Sequence, residues 1–291
     1  MNKLTPLKKI LTGLPILFLL NSCVITSQSY YLSPQNASSN PYHTIPLISD
    51  SIKGATYGSL VFTAGNANYQ GRDYLSAFQT SIYRSNNFGS VQAYYGANFT
   101  LGSYHVGEYY NIRYLYDPTI FGPLSNPLDT IYHIPVTLTT FGSYAVSGGI
   151  NYVIPFSKGE WRALGVETSM QNEFGNYAGF RNGLPDTAAT IVFRQRFTGT
   201  IGIYTDLLWK DHHGNEWGFK FALGEMMNPP SNYTINKASV YSDRYDYNVY
   251  LSYFSTTFHM SRGPYAGFMQ LNLGTFATSF QIGASYRLGK K

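Results

Sequence analysis

Apolar and polar residues alternate along most of this chain from Gly54 onward, with a period of two residues. This period is typical of β-strands, in which successive side chains point to opposite faces. The pattern predicts ten strands: 54–65, 74–84, 89–101, 140–155, 160–171, 198–209, 215–225, 246–259, 264–274 and 278–288. Residues 131–138 could form a further strand, so the pattern is compatible with a count of eight to twelve.

The two faces of the predicted strands differ in composition. In the ninth strand, for example, Met269, Leu271 and Leu273 alternate with Gln270 and Asn272. Across the strands the polar face is rich in Gly, Ser, Thr, Asn and Gln, whereas a soluble sandwich would present many Lys and Glu residues to water. An apolar face toward lipid and a polar face toward a lumen are typical of outer-membrane barrels. We therefore predict an all-β, closed antiparallel transmembrane β-barrel of about ten strands, since closure leaves no strand edge unpaired in a bilayer.

The predicted connections alternate in length. Three of them are long, at about 102–139, 172–197 and 226–245, and those between them have only a few residues. Outer-membrane barrels have short periplasmic turns and longer extracellular loops. An even number of strands then predicts that both termini lie at the short-turn, periplasmic end.

The chain begins with a segment typical of a secretory signal peptide: three lysines, then the apolar run 14–20. The stretch Leu20-Asn21-Ser22-Cys23 resembles a bacterial lipobox, and this resemblance implies cleavage after residue 22 and lipidation of Cys23. An ordinary signal peptide with an incidental cysteine is the alternative. Cys23 is the only cysteine, so it has no partner in the chain for a disulfide.

Three regions follow from these patterns. Residues 1–22 are the predicted signal peptide, residues 23–53 are a lipidated tether, and residues 54–291 are the barrel. The tether is predicted to be extended because it is rich in Ser, Asn and Pro and has no sustained period.

Composition excludes several classes of protein. Charged residues make up only 12% of the 291 residues, while aromatic residues make up 17%, too many for a disordered chain. After residue 20 there is no apolar run near the ~20 residues of a membrane-spanning helix. Removing residues 1–22 takes away three lysines and no acidic residue, so 17 basic and 15 acidic residues remain and the net charge falls from +5 to +2. This balance gives no support to nucleic-acid binding.

The end of the chain, Gln281-Ile282-Gly283-Ala284-Ser285-Tyr286-Arg287-Leu288, resembles the β-signal of bacterial outer-membrane proteins. The resemblance implies recognition by the barrel-assembly machinery through Gln281, Gly283, Tyr286 and Leu288.

Nearly the whole chain resembles the uncharacterised outer-membrane β-barrel lipoproteins of Bacteroidota. The resemblance is carried by a lipobox-like cysteine, a tether with His43-Thr44-Ile45-Pro46-Leu47 and a Gly- and Tyr-rich barrel. That resemblance implies a fold and a location among outer-membrane lipids, and no activity.

Five charged residues are predicted to face the lumen: Glu167, Asp206, Glu216, Lys220 and Arg287. Because both signs occur, mutual salt bridges in a narrow interior are the expected arrangement. A selective pore is the alternative, although ten strands are well short of the 16 to 18 strands of open porins.

One pair of residues has the composition of a catalytic site. His259 and Ser261 lie two apart on one strand face, as in the nucleophile pair of lipid A deacylase barrels, which they resemble. The resemblance ends there: Arg262 follows the serine where that family has Asn, and the next strand supplies no Glu to orient the imidazole. No motif for a cofactor or a metal is found.

The leading hypothesis is therefore a non-enzymatic outer-membrane barrel lipoprotein for surface interaction or envelope organisation. One alternative is a small channel or lipophile conduit through the lumen. A third is a lipid hydrolase that uses His259 and Ser261.

Overall fold

The structure, a computed structural model, describes residues 30–34, 41–49, 52–67, 72–113, 129–185, 188, 191–227, 233–235, 251–275 and 277–289. The predicted signal peptide and Cys23 lie outside these ranges. None of the helices within them combines the length and the apolar character needed to cross a bilayer.

Fifteen strands and one helix are described. They are β1 (Tyr30–Tyr31), β2 (Gly54–Asn66), β3 (Tyr74–Phe88), β4 (Val91–Val106), β5 (Tyr109–Arg113), β6 (Asp129–Ile134), β7 (Thr137–Phe156), β8 (Gly159–Phe174), α1 (Asn176–Gly183), β9 (Ile191–Phe193), β10 (Phe197–Lys210), β11 (Asn215–Met226), β12 (Tyr233–Ile235), β13 (Ser252–Arg262), β14 (Tyr265–Gly274) and β15 (Thr278–Leu288).

Ten of these strands form one closed antiparallel barrel, in the order β2-β3-β4-β7-β8-β10-β11-β13-β14-β15. The closing seam joins β15 to β2, from Thr278 opposite Asn66 to Leu288 opposite Thr56. The predicted fold class and the ten strands are confirmed. The eighth predicted strand corresponds to β13, which begins at Ser252, and residues 246–250 lie outside the described part of the chain.

The connections give the barrel two different ends. We call the end with the turns at 89–90, 157–158, 211–214 and 263–264 the short-turn end, and the opposite end the long-loop end. At the long-loop end, β1, β9 and β12 form a small sheet, β5 and β6 form a hairpin, and α1 follows β8. The possible strand at 131–138 is divided between β6 and the start of β7, and β6 pairs with β5, so the barrel keeps ten strands.

The outer surface of the barrel is an apolar band. Its exposed side chains include Leu60, Phe78, Ile82, Leu101, Val146, Leu164, Ile203, Leu223, Met269 and Ile282. Exposed aromatic side chains are placed near the short turns at Phe88, Tyr95, Tyr152, Phe156, Trp161, Trp217, Tyr265 and Tyr286, and toward the long loops at Tyr74, Tyr144 and Phe197. An apolar band with aromatic residues at both edges is the surface that a barrel presents to a bilayer.

The alternation predicts the face of most side chains correctly, but the faces of the eighth predicted strand are inverted at its described start. There Leu251 and Tyr253 alternate with Ser252 and Phe254, which predicts that Leu251 and Tyr253 are on the apolar outer face. Both are buried instead, and Tyr253 is on the inner face with Ser255, Thr257 and His259. Its ring lies over Gly224 of the neighbouring strand, where an added Cβ would be 2.4 Å from the Tyr253 hydroxyl oxygen. The absence of a side chain at Gly224 therefore makes room for an inward-pointing tyrosine.

Strand β8 contains an irregularity that changes which of its residues face the lumen. Val153 of β7 is opposite Arg162, but the preceding residue, Tyr152, is opposite Leu164, so residue 163 is an extra residue in β8. A β-bulge of this kind shifts the following side chains to the other face. As a result, both Arg162 before the bulge and Glu167 after it point into the lumen.

Candidate functional site

The barrel lumen contains a segment of the chain's own N-terminal region. We call residues 41–49 the plug segment, and Tyr42, His43, Thr44, Ile45 and Leu47 within it are all buried. The sequence predicts an extended tether across 23–53, and the structure places residues 41–49 of it inside the barrel. The apolar and aromatic residues of the plug segment are removed from water inside the barrel, which favours burial over a solvated linker.

Side chains of the barrel wall hold the backbone of the plug segment. Arg162 Nη2 donates to the Ile45 carbonyl oxygen at 2.8 Å, and Gln92 Nε2 donates to the Pro46 carbonyl oxygen at 3.1 Å. The Ile48 N–H donates to Glu160 Oε2 at 2.8 Å. Buried backbone groups need such partners because they have lost water.

Further contacts follow along the segment. Asn87 Nδ2 donates to the carbonyl oxygens of Pro46 and Leu47, at 3.1 and 3.2 Å. The Thr44 N–H donates to the Tyr83 hydroxyl at 3.0 Å. The plug segment is thus bonded to side chains on several barrel strands.

Aromatic rings add contacts with the plug segment. The Tyr42 ring stacks on the His259 imidazole with centroids 4.0 Å apart. The His43 ring stacks on Tyr94 and meets the edge of Tyr83, both with centroids 4.6 Å apart. These contacts fill the space between the plug segment and the wall with rings, which are large apolar surfaces with specific packing geometry.

A buried charge cluster lies beside the plug segment near the short-turn end. Arg162 forms ion pairs with Glu160 at 3.0 Å and with Asp206 at 2.8 Å, and all three side chains are at most 2% exposed. His259 Nε2 lies 2.8 Å from the other oxygen of Asp206. Arg162 Nε also donates to Gln92 Oε1 at 2.9 Å. The cluster joins one guanidinium, two carboxylates and an imidazole, and it connects four strands.

A second buried ion pair lies further along the lumen. Lys220 Nζ contacts Glu167 Oε2, and the Tyr94 hydroxyl donates to the same carboxylate at 3.3 Å. The Lys220 ammonium also lies 4.3 Å from the centre of the Tyr204 ring. A buried cation is stabilised by both a carboxylate and an aromatic face.

The predicted lumenal charges have different positions. Glu167 and Lys220 bind each other, and Asp206 binds Arg162 and His259. Glu216 is half-buried near the short-turn end, 3.6 Å from Lys210 Nζ, and Arg287 is half-buried near the end of β15.

Sequence reasoning missed Glu160 and Arg162. Extending the alternation back from Glu167 would put both on the outer face, toward lipid, and the bulge in β8 prevents this. The signal that could have identified them is the high cost of a charge on the lipid-facing side of a barrel.

The candidate hydrolase pair is separated into two different contacts. Ser261 Oγ donates to Glu216 Oε2 at 2.8 Å, while the His259 imidazole binds Asp206 and is covered by Tyr42. The orienting carboxylate that the next strand does not supply therefore comes from β10, two strands away. His259 is 3% exposed.

The predicted assembly signal forms the last barrel strand. In β15, Gln281 is buried in the lumen and Gly283 faces the Phe268 ring, while Tyr286 and Leu288 are on the exposed outer face. Gln281 and the barrel wall line a lumenal cavity of about 40 Å³, together with Pro34 and Pro41. That volume holds a few water molecules.

A separate polar contact lies at the long-loop end. Arg181 of α1 donates to Glu173 at 2.6 Å, and its guanidinium lies 5.0 Å from the centre of the Tyr177 ring. Tyr177 stacks on Tyr104 of the barrel, and burial raises the pKa of the Tyr177 hydroxyl. Across the described ranges, no cluster of three or more His, Cys, Asp and Glu residues is arranged to hold a metal ion.

No family model matches the chain, and no curated protein matches it. Among solved structures, the β-domain of the Bordetella autotransporter BrkA is 11% identical, with a TM-score of 0.36 over 81% of this chain and 100% of that one. An outer-membrane channel from Pseudomonas putida F1 is 11% identical, with a TM-score of 0.37 over 86% and 99%. The NanC porin is 9% identical, with a TM-score of 0.30 over 79% and 100%. Similarity at this level carries no weight for function.

Proposed function

We propose that this protein is a non-enzymatic outer-membrane β-barrel lipoprotein, closed by its own plug segment, that uses its long-loop end for surface interaction or envelope organisation. The observation that carries the proposal is the burial of the plug segment in the lumen through hydrogen bonds from Arg162, Gln92 and Asn87. The proposed partners are outer-membrane lipid and, during biogenesis, the barrel-assembly machinery.

The outer surface supports the membrane location. Large apolar side chains such as Phe78, Leu138 and Leu164 are 59%, 70% and 59% exposed, which would be unfavourable in water over so wide a band. In a bilayer the same band contacts apolar lipid chains instead of water, and the closed ring of strands leaves no edge unpaired. Cell fractionation and the heat-dependent gel shift of folded barrels test this: recovery of folded protein in the soluble periplasm, without a shift, would exclude it.

The occupied lumen supports a closed barrel over a channel. Ions would have to pass a segment that is bonded on several sides, beside the ion pairs of Arg162 and Lys220. The test is planar-bilayer recording of purified protein and of a variant in which residues 41–49 are replaced by Gly and Ser. We expect the wild type to be silent and the variant to conduct. Conduction by the variant also shows that the barrel inserts into the bilayer, so it is the control for silence of the wild type. Steady, ion-selective conductance of the wild type would favour the channel.

The contacts of His259 and Ser261 support a non-enzymatic barrel. Each side chain has a carboxylate partner of its own, and Tyr42 covers the imidazole. An acyl-hydrolase assay with lipid A and phospholipid substrates is the check. Hydrolysis by the wild type that is lost in Ser261→Ala would overturn this part of the proposal.

Lipidation of Cys23 remains a proposal from the lipobox resemblance. Mass spectrometry of the mature protein tests it directly: a diacylglycerol-modified N-terminal cysteine is expected in the wild type, and an unmodified mature chain would refute it. Cys23→Ser provides the control that lacks the modification.

A further inference from the structure

We infer that the chain is threaded through its own barrel, so that the residues before Tyr30 emerge at the long-loop end. The lipid proposed on Cys23 is then inserted in the leaflet on the long-loop side of the membrane. This second statement rests on the proposed lipidation, whereas the threading rests on contacts of the described residues. The arrangement reverses the sequence-based expectation that the N-terminal region lies at the short-turn end.

The first described residues lie at the long-loop end. Tyr30 and Tyr31 form β1, which pairs in parallel with β9 in the connection between β8 and β10. Tyr31 is 1% exposed and belongs to a cluster with Tyr104, Ile134 and Tyr177, which lie at the end of β4, in β6 and in α1. The chain is therefore fixed at the mouth of the barrel on this side.

The path then enters the lumen. Pro34 and Pro41 line one cavity, together with Gln79 and Asn98, which lie near the middle of β3 and β4. The two described stretches on either side of residues 35–40 thus lie next to each other within the barrel.

From Pro41 onward the chain runs down the lumen toward the short turns. Tyr42 contacts His259, three residues from the end of β13, and Ile45 binds Arg162, three residues after the start of β8. Ile48 binds Glu160, two residues further toward the turn. The last residues of the plug segment therefore contact the wall nearest the short turns.

The segment finally reaches the short-turn end, where the barrel begins. The Asn87 backbone N–H donates to the Lys53 carbonyl oxygen at 2.7 Å, and β2 starts at the next residue, Gly54. β15 closes on β2, so the seam is made by the strand that follows the threaded segment.

Chain length then limits where Cys23 can be. Tyr30 is seven positions after Cys23, and a fully extended chain covers at most ~3.6 Å per position, roughly 25 Å in total. The apolar band of an outer-membrane barrel is itself ~25 Å tall. To reach the leaflet at the short-turn end, these residues would have to run fully extended through lipid with an unpaired backbone, or share a lumen that the plug segment fills.

The test compares the accessibility of three introduced cysteines in intact cells. Ser27→Cys reports on the N-terminal region, Asn182→Cys in α1 reports on the long-loop end, and Lys158→Cys in a turn reports on the short-turn end; residues 182 and 158 are both exposed. The probe is a polyethylene-glycol maleimide too large to pass the outer membrane. Wild-type protein, labelled in parallel, gives the background from Cys23.

Threading predicts that Ser27→Cys and Asn182→Cys behave alike and opposite to Lys158→Cys. With long loops outside, the first two are labelled in intact cells and the third only after permeabilisation; the reverse pattern for all three supports threading equally. Accessibility of Ser27→Cys that matches Lys158→Cys would overturn the inference. Labelling of Cys23 in denatured wild-type protein would refute lipidation alone, because the grouping of the three reporters does not depend on it.

Discussion

Arg162 Nη2 donates a 2.8 Å hydrogen bond to the carbonyl oxygen of Ile45, 117 positions earlier in the chain, and thereby joins the barrel wall to the plug segment. The same guanidinium binds Glu160 and Asp206. Removing it leaves two buried carboxylates without their main cation. Arg162→Ala is therefore expected to destabilise the folded barrel by about 3–5 kcal/mol, the usual effect of breaking a buried pair on one side.

Urea unfolding in detergent, followed by the heat-dependent gel shift, measures this change. Arg84→Ala is the matched control, since Arg84 is exposed and bonds only Asn86 in the described contacts. A change within about 0.5 kcal/mol is expected for the control. Equal effects of the two substitutions would contradict the role assigned to Arg162.

A disulfide can test whether the plug segment occupies the lumen. Thr44 Oγ1 and Ser285 Oγ are 3.0 Å apart, close enough for two cysteine side chains to be bridged. Thr44→Cys/Ser285→Cys is expected to cross-link under oxidation and to change the mobility of the denatured protein on a non-reducing gel.

The control pair is Thr44→Cys/Ser279→Cys. Ser279 also faces the lumen from β15 but is six residues from Ser285, roughly 20 Å along a strand. No cross-link is expected in this pair. Failure of the first pair to cross-link, with both of its cysteines open to a maleimide, would indicate that the plug segment lies outside the barrel.

The glycines of the inner face make room for aromatic rings, and this can be tested at Gly165. A Cβ added there would lie 2.3 Å from the Tyr204 ring, whose hydroxyl accepts a hydrogen bond from Asn151 at 3.0 Å. Gly165→Ala is expected to cost about 1–3 kcal/mol of stability, since the ring must move.

Gly179→Ala is the control for the same change in chemistry. Gly179 lies in α1 with nothing within 4 Å of the added Cβ. Alanine is the better helix former by about 1 kcal/mol, so this variant should be neutral or more stable in the same urea assay. A stability loss at Gly179 as large as at Gly165 would contradict the packing explanation.

The buried Lys220–Glu167 pair predicts a strong coupling between two substitutions. Lys220→Met removes the cation and leaves the Glu167 carboxylate in a site that is 1% exposed. We expect a loss of about 3–5 kcal/mol from this single change and a smaller loss from Lys220→Met/Glu167→Gln, because the double variant has no unpaired buried charge. A double-mutant cycle from urea midpoints measures the coupling, and additive losses would mean that the two groups do not interact in solution.

Much of the fold follows from local pattern. The period of two in β14, with Met269 and Leu271 outward and Gln270 and Asn272 inward, identifies both the strand and its faces, because the pleat fixes alternate sides. The contrast between apolar and uncharged polar faces identifies a barrel, and the connection lengths give the two ends. Salt bridges among the inward charges were also expected from their opposite signs, and the contact between Glu167 and Lys220 is one of them.

The composition of residues 41–49 resembles that of a linker, and its hydrogen bonds come from side chains far along the sequence, so no local pattern indicates that the segment is buried. The extra residue at position 163 likewise depends on how β8 registers with β7 and β10, and it decides that Arg162 points inward. The sequence by itself therefore determined the strands, their faces and the barrel, since these depend on neighbours along the chain. Tertiary structure alone decided what fills the lumen and at which end the chain enters it, because these depend on contacts between residues more than a hundred positions apart, such as Ile45 and Arg162.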